Sequence, residues 1–542
     1  MNGPAIGARL HVRRPARLAV AVVGIAAMLV GCTVAATPSP PPTPTAGPTA
    51  GPTATPSRPP TPPMYGPPAP PPSKQPGDIE DATVLTDRPS LIYDGRAPWQ
   101  IHVSSGGRHV MEAYANAPSY LPGDTLRLAV STDSKAYAVA VFRVGAEMQP
   151  MHRSGLRPGM RQPGAVVDHS TSMVRAPWLY TYFFVIPASW PSGLYFAKVS
   201  GRSGAASYVP FVVRSTRPSR LLFVSAFLNA EAYNTWGGSS LYISSVGDPA
   251  PGEHRAFAVS FDRPFDREEG MGELFMFEVP LISWLERNHY DVTYTTDYDL
   301  STHPADQPVP RAALFSGHDE YWGTLLRDWL DAHVLAKGDM GLGVFAADTG
   351  YWRVRFRDGS ATGPRTVVLY KNARRDPNIG RACPGGYNRY AEAFRSLPCG
   401  HDGPGNRPEQ ALYGVQYGDI VPGYHPYYIA STAPASLLIG TGLGLGQSLG
   451  DIAGGEVDHV FADIPAPAGV SVLAHDLGLT ARDGTPARAQ AVAGTVPSGG
   501  RVFASGTFWW AWGLEARYAA AHGVPAGFAT LTANILSFLA GP

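Results

Sequence analysis

Leu314-Phe315-Ser316-Gly317-His318-Asp319-Glu320-Tyr321-Trp322 sets an imidazole and two carboxylates at the end of a short apolar run. Residues Ala312 to Phe315 have the unbroken apolar character of a buried strand. Downstream, Thr324 to Lys337 puts Leu325, Leu326, Trp329, Leu330, His333 and Val334 on one helical face before Gly338 ends the helix, and Leu342 to Ala347 is a second apolar run. Strand, polar loop, helix and strand make a βαβ unit of a parallel sheet, in which ligands bind beyond the carboxyl ends of the strands. His318, Asp319 and Glu320 occupy that end. Adjacent side chains of extended chain diverge while those two apart share a face, so His318 and Glu320 can face one cavity and Asp319 supports the loop.

The same alternation continues on either side. Leu221 to Ser225 reads as a strand, Glu273 to Arg287 as an amphipathic helix, and Val292 to Thr296 as a strand with Asp297 and Asp299 at its carboxyl end. Phe528 to Leu539 is a final helix expected to dock on the sheet, and Tyr370 to Tyr428 a long loop-rich insertion. Between Asp78 and Arg214 the texture differs: short alternating runs such as Leu126 to Val130, Tyr137 to Phe142, Tyr182 to Ile186 and Leu194 to Val199 are separated by Pro122-Gly123, Pro158-Gly159 and Pro191-Ser192-Gly193. That spacing predicts β-structure. The expected fold is therefore multidomain, an immunoglobulin-like β-sandwich over 78–216 followed by an α/β domain over 217–542 with a mostly parallel sheet.

The N-terminus reads as targeting rather than fold. Arg9, Arg13, Arg14 and Arg17 precede an apolar stretch from Leu18 to Val30, and Leu29-Val30-Gly31-Cys32 looks like a bacterial lipobox. Residues 1–31 are then a lipoprotein signal peptide, with a lipid on Cys32 anchoring the exported chain to the outer face of the cell membrane. An ordinary signal peptide with a chance cysteine is the alternative. Residues 32–77 are dominated by Pro and Thr, a composition that buries no core and serves as a disordered tether. With 43 basic and 43 acidic residues the chain has no electrostatic footprint for nucleic acid. Cys383 and Cys399 bracket a Gly/Arg/Tyr-rich stretch; a disulfide closing it is the first reading in an exported protein, two free thiols the other.

Several motifs fail on context. Gly446-Gln447-Ser448-Leu449-Gly450 fits the nucleophile-elbow pattern, yet neither a strand before it nor a helix after it is predicted. Neither cysteine follows a strand of the α/β core, which argues against a cysteine hydrolase, and two cysteines alone make a poor zinc site. What remains are oxygen-rich and imidazole groups: the quoted segment, Gly454-Gly455-Glu456-Val457-Asp458-His459, and Ala232-Tyr233-Asn234-Thr235-Trp236-Gly237-Gly238 with Tyr242 close behind. Carboxylates also cap helices, and Tyr-Trp-Gly clusters also pack loops, so each segment has a scaffolding reading too.

Taken with Tyr351-Trp352-Arg353, and in this order, these segments resemble the large (beta) subunit of N,N-dimethylformamidase and its relatives over roughly 218–542. The resemblance implies an amidohydrolase with one ferric ion, Fe(III), held by two tyrosines and a glutamate, assisted by a histidine and a second glutamate. Carried over by motif, Glu320 is the carboxylate ligand, His318 the histidine and Glu456 the second glutamate. Tyr233 and Tyr195 are the expected tyrosine ligands, with Tyr242 as a substitute for either. Phenolate and carboxylate oxygens suit a hard Lewis acid, which could polarise an amide carbonyl with Glu456 as general base. The expected partners are a small amide or cell-envelope substrate and the membrane, with no nucleic acid; self-association into a homo-oligomer stays open. The competing reading is a non-catalytic surface lipoprotein that binds glycan or protein through the same fold, using tryptophans such as Trp509, Trp510 and Trp512.

Overall fold

A computed structural model describes residues 97–101, 110–360, 363–371, 375–377, 393–396 and 407–541. The expected signal peptide and tether, and Cys32, Cys383 and Cys399, lie outside the described residues. No helix among the described residues is long and apolar enough to cross a membrane.

The alternation along Thr125–Thr132 buries Leu126 and Leu128 and exposes Arg127 between them, as a strand with one covered face requires. That strand pairs antiparallel with Met111–Ala115 and Tyr180–Val185 in a three-stranded sheet. A second, six-stranded sheet is built from Ser119–Tyr120, Ala136–Val144, Met148–Arg153, Arg157–Pro158, Gly193–Gly201 and Ala206–Val213. Leu126, Leu128, Val139, Val141 and Phe211 of the two sheets share one core. Tyr195 belongs to that core. Its ring stacks on Trp190 and Phe211 at centroid separations of 5.0 and 5.6 Å, and its hydroxyl donates to the Pro191 carbonyl at 2.7 Å.

The largest sheet has nine strands, numbered here in chain order. They are β1 (Leu221–Ser225), β2 (Val292–Thr296), β3 (Ala312–His318), β4 (Gly341–Ala347), β5 (Gln416–Ile429), β6 (Ser448–His459), β7 (Val470–His475), β8 (Gln490–Thr495) and β9 (Arg501–Ala504). Their spatial order is β2-β1-β3-β4-β9-β8-β7-β5-β6. From β2 to β9 every pairing is parallel; from β9 to β6 every pairing is antiparallel. The sheet is thus mixed rather than mostly parallel. The link from β8 to β9, residues 496–500, is too short for the crossover a parallel pair needs. Overall the described chain is β-rich, with few helices.

The helices include α1 (Phe227–Tyr233), which carries a residue of the site, α2 (Thr324–Leu330) and α3 (Gly527–Ala540), the last packed on β4 and β9. The helix expected over 324–337 is α2 continued by a π-helical turn, Asp331–Lys337, and Gly338 ends it at φ 66°. The helix expected over 273–287 divides into Leu274–Phe277 and Val279–Arg287. Glu278 marks the break, its buried carboxylate accepting from the Ser225 hydroxyl and the Ala226 N–H, and Pro280 opens the second piece. Phe196 and Tyr208 of the second sheet meet Phe275 edge-on at 5.3 and 5.4 Å, so both sides of the expected boundary at 216 contribute to one hydrophobic cluster.

Two expectations change at the level of elements. The loop-rich insertion ends in β5, a fourteen-residue strand whose register with β6 shifts repeatedly around Gly418, Pro422 and Pro426. Ser448 of the dismissed elbow motif is the first residue of β6, which agrees with its dismissal.

Candidate active site and metal centre

Strand β3 runs through His318 rather than ending at Phe315. Gly317 sits at φ 72° within the strand, and a Cβ there would lie 2.4 Å from the Phe277 side chain, so only glycine fits the position before His318. The next carboxylate is fixed through its backbone: Glu320 N–H donates to Asn229 Oδ1 at 3.3 Å, and the Trp352 N–H donates to the Glu320 carbonyl at 2.9 Å. Asp319 is buried and does not line the cavity, and both of its carboxylate oxygens are buried without hydrogen-bond partners among the described residues.

Helix α1 carries Tyr233 as its last residue. The N–H groups of Phe227 and Leu228 donate to the buried Asp297 carboxylate at 3.0 and 2.8 Å, which holds the start of this short helix. Its far end is tied to the following loop by Arg263, fully buried, which pairs with Glu231 at 2.6 Å and donates to the carbonyls of Asn234 and Ser239 at 3.0 and 2.7 Å. That clamp brings Tyr242 back against Tyr233, with ring centroids 4.3 Å apart and nearly stacked.

The two phenols converge on one oxygen. Tyr233 and Tyr242 hydroxyls each donate to Glu320 Oε2 at 2.8 Å and lie 2.6 Å from each other. Behind them Tyr321 donates to the Tyr242 hydroxyl at 2.5 Å, and the Lys371 ammonium donates to Tyr321 at 2.8 Å while lying 3.5 Å over the Tyr242 ring. On the other flank, His318 Nε2 is 3.6 Å from Glu320 Oε2 and 3.3 Å from Glu456 Oε2. Glu456 comes from β6, where Gly455 at φ 74° lies so close to Phe508 that a Cβ would be 2.5 Å from its ring. His318 Nε2, Glu456 Oε2 and Asp348 Oδ1 are buried without hydrogen-bond partners among the described residues.

Burial and charge bias every group. Burial by itself would lower the His318 pKa, but the Glu456 and Glu320 carboxylates outweigh it and raise it to about 10, so the imidazole is a cation at neutral pH. Glu320 is held well below the usual carboxylate range: burial pushes it up, and Lys371, His318 and the Tyr233 hydroxyl more than reverse this. Desolvation, then the Glu320 charge, push both Tyr233 and Tyr242 above the ordinary phenol value. Lys371 is lowered to about 8 by burial against the pull of Glu320 and Asp348.

These groups line one cavity of about 720 Å³. Tyr233, His318, Glu320 and Glu456, four of the residues expected from sequence, meet there together with Tyr242. Tyr195 does not; it stays in the core of the two N-terminal sheets, its hydroxyl engaged by Pro191. Trp510 and Trp512 are buried in the core, and Trp509, 4% exposed, lines the cavity wall, so these tryptophans form no surface platform. Lys371 and Asp348 are not marked by the sequence motifs, and Tyr321, although in the opening segment, has no role assigned there. Asp348 stands just past the carboxyl end of β4, the neighbour of β3, and the strand-end rule that found His318 applies to it equally.

Two donor sets could hold a metal ion. Tyr233, Tyr242 and Glu320 offer three oxygens 2.6–2.8 Å apart, close to the ~2.8 Å edge expected when neighbouring ligands each lie ~2.0 Å from one small ion. His318, Glu320 and Asp348 offer donor atoms within 4.8 Å of one another. Both sets fit a cation, because each contains buried anionic oxygen that is costly to leave uncompensated.

A family model described as N,N-dimethylformamidase beta subunit-like, C-terminal, matches residues 138–523. No curated protein matches the chain. Among solved structures, a Paenibacillus sp. cycloisomaltooligosaccharide glucanotransferase complexed with cycloisomaltoheptaose is 15% identical over 22% of this chain and 17% of that one. Its TM-score of 0.13 carries no argument about fold or function.

Proposed function

This chain belongs to the N,N-dimethylformamidase beta subunit-like family, and from that premise we propose that it is a hydrolase cleaving an amide C–N bond at this cavity, with a mononuclear ferric ion as cofactor. The observation that carries the reading is the convergence of the Tyr233 and Tyr242 hydroxyls on one oxygen of Glu320. Those three residues would hold the ion, with Tyr242 in the place expected for Tyr195. When bound, the ion supplies Lewis-acid polarisation of the amide carbonyl and the charge that lets the two phenols ionise at neutral pH.

The remaining groups have distinct tasks. Tyr321 donates onto the Tyr242 oxygen and Lys371 places a positive charge behind it, and together they steady anionic oxygen in a desolvated wall. Glu456, whose Oε2 lies 3.3 Å from His318 Nε2 at the cavity wall, is placed to take a proton from water. His318, 3.3 Å away and biased toward its protonated form by the two carboxylates, would donate to the oxygen that gains negative charge as water adds to the carbonyl. Glu456 then passes its proton to the departing nitrogen. Phe277, Trp352 and Phe508 line the cavity beside these groups and lower its polarity.

A second metal reading has its own support, a divalent ion on His318, Glu320 and Asp348. An amide screen with and without chelator tests the hydrolase reading. Turnover that chelator removes and iron restores supports it; chelator-resistant turnover, or none in a protein with bound iron, contradicts it. Asp348→Ala separates the metal readings, since it empties only the second donor set.

The finer fold reading is that the two N-terminal sheets form an immunoglobulin-like sandwich ahead of an α/β N,N-dimethylformamidase-like domain. The lipobox motif supports export and a lipid anchor on Cys32; Cys32→Ser should shift the protein from the membrane to the soluble fraction, and an unchanged distribution would rule the anchor out.

A further inference from the structure

One cation of the cavity has no counter-charge. Arg482 lines the wall from an exposed turn that joins the paired segments Leu479–Thr480 and Pro486–Ala487. The turn is closed by the Ala481 N–H donating to the Thr485 carbonyl at 2.8 Å, and Asp483 is spent inside it, accepting from the Thr485 N–H and hydroxyl at 3.0 and 2.6 Å. The Arg482 guanidinium has no hydrogen bond or ion pair among the described residues. The other cations are committed: His318 lies between Glu320 and Glu456, Lys371 donates to Tyr321, and Arg267 pairs with Glu273 at 2.5 Å. Backbone pairing fixes where Arg482 stands. Ile420 of β5 is opposite Glu456 of β6, and the Ile420 carbonyl accepts from the Arg482 N–H at 2.8 Å. Glu456, Ile420 and Arg482 thus follow one another across neighbouring segments, and all three line the cavity. At ~4.8 Å per step the Arg482 backbone is roughly 10 Å from that of Glu456.

We infer, resting on the amide-hydrolase reading, that Arg482 binds a carboxylate at the far end of the substrate's acyl chain, so that this site acts on amides whose acyl part ends in an anion. A guanidinium offers a planar fork of donors that matches a carboxylate. Between it and the general base the wall is the Ile420 side chain, which suits a short run of methylenes. Charge then fixes the direction of binding. A substrate carboxylate at the other end would meet Glu320 and Glu456, and like charges repel there. With the carboxylate on Arg482, the amide carbonyl falls beside His318 and Glu456.

Size agrees with an extended acyl chain. The cavity of about 720 Å³ lies in the range of sites that enclose whole organic ligands, and a one-carbon acyl group leaves most of it unfilled. With the two side chains reaching into the cavity from roughly 10 Å apart, a spacer of about two to four methylenes joins the amide to the carboxylate. Hydrolysis adds the water oxygen to the carbonyl carbon and breaks the C–N bond with its electron pair going to nitrogen. The water proton passes through Glu456 to that nitrogen, and the products are a dicarboxylate and an amine. The Arg482 contact is on the acyl side only. It leaves the nitrogen free to carry two alkyl groups, as in the amide for which the family is named.

Matched pairs of N,N-dimethyl amides test this, one member ending in a carboxylate and the other in a methyl group. They are N,N-dimethylsuccinamate with N,N-dimethylbutanamide, N,N-dimethylglutaramate with N,N-dimethylpentanamide, and N,N-dimethyladipamate with N,N-dimethylhexanamide. Both kcat/KM and the calorimetric Kd are measured on the purified full chain. In at least one pair the wild type is expected to favour the carboxylate about 10–100-fold, and the preference should shrink as ionic strength rises. Arg482→Gln should bring the two members within about threefold of each other, and Arg482→Lys, which keeps the charge without the fork, should retain part of the preference. Turnover of both members at equal kcat/KM in every pair, or a preference that survives Arg482→Gln, would overturn the inference and leave the hydrolase reading standing. Tight binding of a carboxylate-ended amide that Arg482→Gln abolishes, with no amide turned over, would sustain the anion site and remove the hydrolase reading. Neither binding nor turnover of any member would end both.

Discussion

Two sets of tyrosines in this molecule look alike in sequence and differ in what their hydroxyls do. In the N-terminal sheets Tyr195 donates to the Pro191 carbonyl, Tyr120 to Asn116 Oδ1, and Tyr137 pairs with Thr181, each with a partner nearby in the same part of the fold. In the cavity Tyr233 and Tyr242 crowd one oxygen of Glu320, with Tyr321 and Lys371 queued behind. Burial differs as well, Tyr195 being fully buried while Tyr233 is half-buried and Tyr242 is 37% exposed, but Tyr321 is as inaccessible as Tyr195, so burial alone does not account for the crowding. The difference is the ratio of donors to acceptors. A phenol with its own acceptor is finished structure, whereas several donors on one carboxylate make a cluster whose protons a cation can replace.

The largest effect expected on this contrast comes from removing the shared acceptor. Glu320→Ala should lose bound metal and at least ~10³-fold in turnover while far-ultraviolet circular dichroism stays unchanged; retained metal would show that the phenols do not depend on it. Next, Glu456→Gln should keep the metal and lower kcat by about 10²–10⁴-fold, as for a lost general base. Unchanged kcat would move the proton transfer to another group.

Smaller effects probe the scaffold side. Tyr195→Phe removes one satisfied hydrogen bond and should cost about 1 kcal/mol in chemical denaturation with metal content and turnover intact. Smallest is a pH effect in the metal-free protein. His318 titrates at about 10 in the fold against ~6.5 unfolded, so its contribution to stability is complete below ~6.5 and fades as pH rises through about 10. The stability difference between wild type and His318→Gln should therefore shrink over that window; a constant difference would mean that the imidazole is neutral in the fold.

How far the sequence could carry this account depended on range. Strand ends and polar residues two apart are local features, and they were enough to bring His318 and Glu320 to one cavity and to leave Asp319 behind them. Glu456 stood out beside its paired glycines. The choice between Tyr195 and Tyr242 was not local: it rests on Arg263, which gathers the carbonyls of residues 234 and 239 from well downstream. Asp348 was passed over because a lone aspartate after an apolar run is also the ordinary mark of a chain turn. Lys371 came from a stretch read as loop, and β5 hid there too, since Pro422, Gly423 and Pro426 look like breaks but sit at irregularities of its pairing.

The most direct test is the visible absorption of iron-loaded protein in wild type, Tyr195→Phe, Tyr233→Phe and Tyr242→Phe. The account predicts a ferric-tyrosinate band in the wild type that Tyr195→Phe leaves untouched and that each of the cavity substitutions weakens and shifts. A protein that takes up no iron, or a band that follows Tyr195 and ignores Tyr242, would contradict it.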